Sequence, residues 1–141
     1  MFNFFKKKKV ITEKPKNLKL ISLCLAYEVA NADNEIDSKE RDLLLSLIKE
    51  NIDVSLISEK DILQVIEEDS KKSISFYNII RDINKSLNKE EKVDIIKMLW
   101  EVAYADNVLD VDEERIIRRS AEMLGIKPSI VLQTKDQFKV E

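Results

Sequence analysis

Asp33, Asp37 and Glu40 fall within eight residues of one another, and Asp106, Asp110 and Glu113 repeat their spacing later in the chain. Carboxylates set out in this way can ligate a divalent cation, provided the fold brings the two groups together. The rest of the composition narrows which cation. The chain has no histidine and one cysteine, which removes imidazole-based zinc sites along with Ser-His-Asp and Cys-His nucleophile systems. What remains is oxygen ligation of a hard ion such as Ca²⁺, Mg²⁺ or Mn²⁺. The candidate ligands are Asp33, Glu40, Asp106 and Glu113, with Asp37 and Asp110 as secondary candidates. The acids of each group span too few residues for the ~12-residue loop of an EF-hand, and its central glycine is missing.

The two acidic groups are parts of one repeated segment. Residues 28 to 40, EVANADNEIDSKE, return as residues 101 to 113, EVAYADNVLDVDE, at an offset of 73 with eight of thirteen positions identical. Ile36 pairs with Leu109, and an aromatic residue, Tyr27 or Trp100, precedes each copy. Each copy reads as the end of an apolar helix, a tight turn and the start of a second helix. Asn34 and Asn107 suit the turn because asparagine tolerates the left-handed conformation better than most residues. Asp37 and Asp110 fall at N-cap positions, and Glu40 and Glu113 three residues on complete a capping box in both copies, each cap contributing ~1 kcal/mol.

Capping accounts for Asp37, Glu40, Asp110 and Glu113 without any ligand. Asp33 and Asp106 are different: each sits at a helix C-terminus, where the dipole disfavours an anion. Retaining that choice twice implies a compensating cation, whether a Lys, an Arg or a metal ion. The four carboxylates would surround one ion if pseudo-two-fold packing of the long helices sets the corners face to face. Glu28 and Glu101 also interrupt apolar helices at equivalent places. A di-metal centre built on such glutamates needs histidine partners, so both are assigned to a solvent-exposed stripe.

These corners must be held by helices. From Asn17 onward the apolar residues follow helical spacing, and no period-two strand is visible. Leu18 to Ala30 is apolar around most of its circumference, as expected of a central, largely buried helix. Helices follow after Asp37, after Ser58 with Asp61, after Ser70 or Ser73, after Asn88 with Glu91, and after Asp110 with Glu113. Gly125 ends the last of these in a position that tolerates positive φ, and a short helix near Pro128 to Phe138 finishes the chain. The expectation is an all-α bundle of six to seven helices with an internal pseudo-repeat. A single glycine and two prolines argue against long sheets and Gly-rich phosphate loops. At 141 residues the chain fits one domain that buries roughly two-thirds of its unfolded surface.

Charge is uneven. Residues 1 to 16 hold six lysines and one glutamate, leaving the remaining chain at −8 within a total of −3. An acidic body repels phosphate backbones, so nucleic acid is excluded as a partner. Residues 1 to 16 read as a basic, aromatic tail and linker ahead of a helical domain over 17 to 141. The Phe/Lys stretch of residues 1 to 9 is a solvated tail or a hook on the body, and it also allows weak contact with an anionic membrane surface. It lacks the form of a signal peptide, and no stretch reaches the ~20 apolar residues of a membrane span. Cys24, alone in an apolar stretch, reads as core filler in a reducing compartment. The expected location is cytoplasmic, including the inner face of the membrane.

The motif Ala-Asp-Asn-Glu-Ile-Asp-x-x-Glu after an apolar helix resembles the Ala-Asp-Gly-x-hydrophobic-x-x-x-x-Glu signature of the TerB-like, tellurite-resistance family. Leu99 to Glu114, followed by Arg118-Arg119 and Ala121-x-x-Leu124, resembles it most closely. The similarity runs over roughly residues 17 to 138. It implies an all-helical fold of about seven helices, acidic corners near each other, a metal-chelating role and an association with tellurite and stress responses. Carried onto this chain, the acidic positions are again Asp33, Glu40, Asp106 and Glu113. The chain departs from the family in having Asn34 and Asn107 where glycine is usual, which adds a side chain at the mouth of the site.

The resulting expectation is a non-enzymatic binding module that takes a divalent cation, or a basic surface on a protein partner that the sequence does not name, through its two corners. The alternatives are a membrane-peripheral interaction scaffold without metal, or a metal-dependent hydrolase. The hydrolase lacks a nucleophile, a phosphate cradle and an acid–base partner. Oligomeric state is left open.

Overall fold

The computed structural model describes residues 18–71 and 75–138. The tail and linker assigned to residues 1 to 16, with the membrane contact assigned to 1 to 9, lie outside the described residues. Seven helices and no strand are present among those described: α1 Leu18–Ala30, α2 Ser38–Asn51, α3 Glu59–Ser70, α4 Ser75–Ser86, α5 Lys89–Ala103, α6 Val111–Met123 and α7 Pro128–Asp136.

The helix starts follow the side chains at their caps. Asn88 and Glu91 form a closed capping box on α5, Asn88 Oδ1 accepting from Glu91 N–H at 2.9 Å and Glu91 Oε1 from Asn88 N–H at 3.0 Å. Ser58 Oγ accepts from Asp61 N–H at 3.2 Å on α3. Pro128 opens α7, where its missing N–H costs nothing because that donor has no intrahelical partner. At the end of α6, Gly125 takes φ +76°. Its N–H donates to Glu122 O at 3.0 Å and Ile126 N–H to Ala121 O at 2.9 Å. This paired closure satisfies two otherwise orphaned carbonyls.

Helix α1 is the axis of the molecule, packing against α2, α3, α4, α5 and α6. Its sequence permits this because it is apolar on every side: Leu20, Leu23, Leu25, Ala26, Tyr27, Val29 and Ala30 are all buried. Helix α5 is its counterpart from the second copy and buries Ile95, Ile96, Leu99, Trp100, Val102 and Ala103. The two pack on each other, and each also packs on the helix that follows the other, α1 on α6 and α5 on α2. That reciprocal crossing is the two-fold arrangement a duplicated helix pair adopts when its apolar faces meet.

Trp100, the only tryptophan in the chain, is fully buried, and α7 closes over it. Its Nε1–H donates to Thr134 Oγ1 at 3.2 Å, and the Thr134 hydroxyl donates to Val131 O at 2.8 Å. Lys135 Nζ lies 5.7 Å from the indole centroid and pairs with Glu114 at 3.1 Å. Docking of α7 therefore rests on a hydrogen-bonded, desolvated indole. Replacing Thr134 by Val leaves the buried indole N–H without an acceptor. The expected loss is about 1–3 kcal/mol, read as a lower urea midpoint by tryptophan fluorescence, with Thr134→Ser near wild type.

The candidate site at the paired acidic corners

Each corner begins where a long helix runs out of apolar residues. In the first, Asn31 N–H donates to Tyr27 O at 2.9 Å, Ala32 N–H to Val29 O at 3.2 Å and Asn34 N–H to Asn31 O at 2.9 Å. In the second, Tyr104 N–H reaches Trp100 O at 3.0 Å, Ala105 N–H reaches Val102 O at 3.2 Å and Asn107 N–H reaches Tyr104 O at 2.9 Å. Asn34 and Asn107 take φ of 66° and 65°, as their residue type predicts. They are the only non-glycine residues at positive φ among those described. The backbone of the corner is thus built twice, bond for bond.

Asp33 and Asp106 have a local role that the dipole argument did not foresee. Asp33 Oδ1 accepts the N–H of Glu35 at 3.0 Å, and Asp106 Oδ1 accepts that of Val108 at 3.0 Å. An aspartate bonding the backbone two residues ahead is an Asx turn, a known preference of the residue and a signal the sequence carries. Part of the compensation expected from a cation therefore comes from the chain's own N–H groups.

The caps differ between copies. Asp37 Oδ1 accepts from Glu40 N–H at 2.7 Å and Glu40 Oε1 accepts from Asp37 N–H at 3.3 Å, closing the expected box. Asp110 Oδ1 accepts from Asp112 N–H at 2.7 Å and Glu113 N–H at 3.3 Å, but the Glu113 side chain does not return the bond. The capping box expected in both copies is complete only in the first.

The Glu113 side chain turns inward to Glu40. The two carboxyls lie within hydrogen-bonding reach of each other, and both residues are buried, at 6% and 5% exposure. Glu40 Oε2 is itself buried and meets no donor. No Lys or Arg among the described residues pairs with either carboxyl. The contrast with the next residue is sharp. Burial works to raise the Glu114 carboxyl, but hydrogen bonds from Arg118 and Lys135, with their charge, hold it below the ordinary range. Arg118 Nη2 and Lys135 Nζ stand 2.7 Å and 3.1 Å from Glu114 Oε2.

Burial pushes Glu113 well above the ordinary carboxyl range, helped by the bond to Glu40, by the Glu40 charge, and by Asp110 and Asp33. Burial raises Glu40 as well, partly opposed by its bonds from Glu113 and from the Asp37 backbone, with Asp37 and Asp106 adding to the rise. Asp33 of the first corner thus acts on Glu113 of the second, and Asp106 of the second on Glu40 of the first. The structure brings Glu40 and Glu113 into contact and sets Asp33, Asp37, Asp106 and Asp110 in the surrounding field. No group of three or more acidic or thiol side chains closes to metal-ligating distance among the described residues.

The exposed stripe assigned to Glu28 and Glu101 needs correction, since both are half-buried. Glu28 Oε1 accepts from the Ser70 hydroxyl at 2.7 Å. Burial first, then the charge of Glu50, raises the Glu101 carboxyl. Cys24 packs against the core, where burial, then Asp69 and Glu28, pushes its thiol up to about 12, so it stays protonated and unreactive at neutral pH.

The acid pair ties stability to pH. A carboxyl raised on folding makes the native state bind more protons than the unfolded chain. Its stabilising contribution is whole below the unfolded carboxyl range and is lost as pH climbs toward the folded value. Wild-type stability should therefore fall as pH rises from about 5 to 8, the one-proton limit being a slope of about 1.4 kcal/mol per pH unit. Glu113→Gln keeps a donor for Glu40 without the buried charge, and should flatten the curve and be the more stable protein at pH 8. Parallel stability-versus-pH profiles for the two proteins across that range would refute the raised Glu113 carboxyl.

The model of one protein family, described as tellurite resistance protein TerB, matches residues 17–136. No curated protein and no solved structure matches the chain at a significant level. With seven helices, two copies of the acidic corner and a family match over most of its length, the chain belongs to the TerB tellurite-resistance family.

Proposed function

We propose that this TerB-family module is a non-enzymatic binder of a divalent cation at the junction of its two corners. One observation carries the reading: Glu40 and Glu113, equivalent residues of the two copies, meet in a buried contact with no basic side chain beside them among the described residues. Nothing in the core demands two acids there, and desolvating carboxylates costs several kcal/mol each unless something positive joins them. A proton meets that need when no ion is bound, and a hard divalent ion meets it better once both carboxyls are ionised. Glu40 Oε2, buried and without a donor, is a ready oxygen ligand.

In this reading Glu40 and Glu113 are the direct ligands, with Asp33, Asp37, Asp106 and Asp110 supplying negative field and water-mediated contacts. Mg²⁺ and Mn²⁺ suit such a site because Mg²⁺ is commonly held by one or two carboxylates and keeps several waters; Ca²⁺ needs more protein oxygens and a corresponding inward shift of Asp33 or Asp106. The part played in tellurite or stress responses is then that of a cation-responsive module. No helix among the described residues is long and apolar enough to cross a membrane.

Calorimetric titration of metal-stripped protein with Mg²⁺, Mn²⁺ and Ca²⁺, run at pH 7.5 in two buffers of different ionisation enthalpy, tests this reading. Binding is expected with release of up to about one proton. Glu40→Gln or Glu113→Gln should abolish binding, and Asp106→Asn should weaken it. Absence of heat with all three ions, or titration unchanged in Glu113→Gln, overturns the reading.

A further inference from the structure

The repeat supplies its own control, because two corners with the same backbone differ in what they show to solvent. Where the first corner has Asn31, Glu35, Ser38 and Lys39, the second has Tyr104, Val108, Val111 and Asp112. Three of the four changes replace a polar side chain by an apolar or aromatic one, and the fourth exchanges a cation for an anion. Val108 and Val111 are 66% and 71% exposed, among the few large hydrophobic side chains left in water within the described residues. The turn does not require them, since Glu35 and Ser38 occupy the same places in the first copy. Single exposed apolar residues are ordinary; two on one corner, within a rim of carboxylates, form a surface with a definite complement.

The geometry points to the second corner as a docking surface for a basic, aliphatic segment of a partner protein. Val108 and Val111 supply the apolar contact, while Asp106 and Asp110, with Asp33 of the neighbouring corner, face the partner's lysines or arginines. Arg115, the nearest cation in sequence, is taken up by Asp112 at 3.6 Å and leaves those acids open. An anionic membrane is the poorer occupant, because the same carboxylates repel its headgroups. This makes specific the basic-partner expectation from the sequence and does not require the cation site to be filled.

The test transplants the first corner's residues onto the second. Val108→Glu with Val111→Ser should fold, since that backbone already carries Glu35 and Ser38, and circular dichroism and the Mg²⁺ titration should be unchanged. The probe is a fluorescein-labelled helical peptide of Leu and Lys, its Leu/Glu twin the control, read by anisotropy at near-physiological salt. The wild-type full chain should bind the Lys peptide and not the Glu peptide. The double variant should bind roughly tenfold more weakly, as expected for losing about one side chain of apolar contact. Charge attraction alone predicts the opposite sign, because Val108→Glu adds a carboxylate; equal or tighter binding therefore overturns the proposal. No binding of the Lys peptide also overturns it, as does binding only to anionic phosphatidylglycerol vesicles in place of the peptide.

Discussion

Two carboxyls at equivalent positions of the repeat, Glu40 and Glu113, are pressed together out of water, and the rest of the site is arranged around that contact. Their meeting follows from the reciprocal crossing of α1 with α6 and α5 with α2. The crossing exists because α1 and α5 are apolar nearly all round and must be covered on several sides at once. Burying the long helices thus delivers the first turns of α2 and α6 to one point, with their glutamates facing inward. The hydrophobic core positions the acids, and the acids charge a cost to that core unless a proton or an ion joins them.

The two corners separate structural from ligand-directed chemistry more cleanly than either could alone. Asn34 and Asn107, the Asx turns of Asp33 and Asp106, and the backbone bonds of both turns agree between copies, as features that only make the turn should. Where the copies diverge, turn geometry is not the cause. Glu40 keeps one oxygen on its own helix start, while Glu113 gives up its half of the capping box and turns toward Glu40. That sacrifice of a local bond worth about 1 kcal/mol marks the inward position as the one favoured by the assembled fold.

Neighbouring acids show how far surroundings govern the behaviour of one residue type. Glu113 and Glu114 are adjacent in sequence, yet burial and like charge push the carboxyl of one above its ordinary range, while Arg118 and Lys135 hold the other below it. The second arrangement also ties α6 to α7 through Lys135, which lies beside the Trp100 ring. Helix α7 thereby steadies α5 and α6 together, and with them the second corner.

Local chemistry made much of this legible in advance. The all-helical class, the caps at Asp37, Ser58, Asn88 and Asp110, the left-handed Asn34 and Asn107, and the closing role of Gly125 each depend on residues within a turn or two of one another. The Asx turns of Asp33 and Asp106 were equally local and could have been recognised from residue type alone. Which way Glu113 points, the half-burial of Glu28 and Glu101, and the cations that claim Glu114 were not legible, because each depends on groups on other helices. Residue order determined the helices and the twin corners, since helix formation and capping act over three or four residues. Tertiary packing alone decided that the corners meet, because only the shared burial of α1 and α5 sets the distance between side chains 73 residues apart.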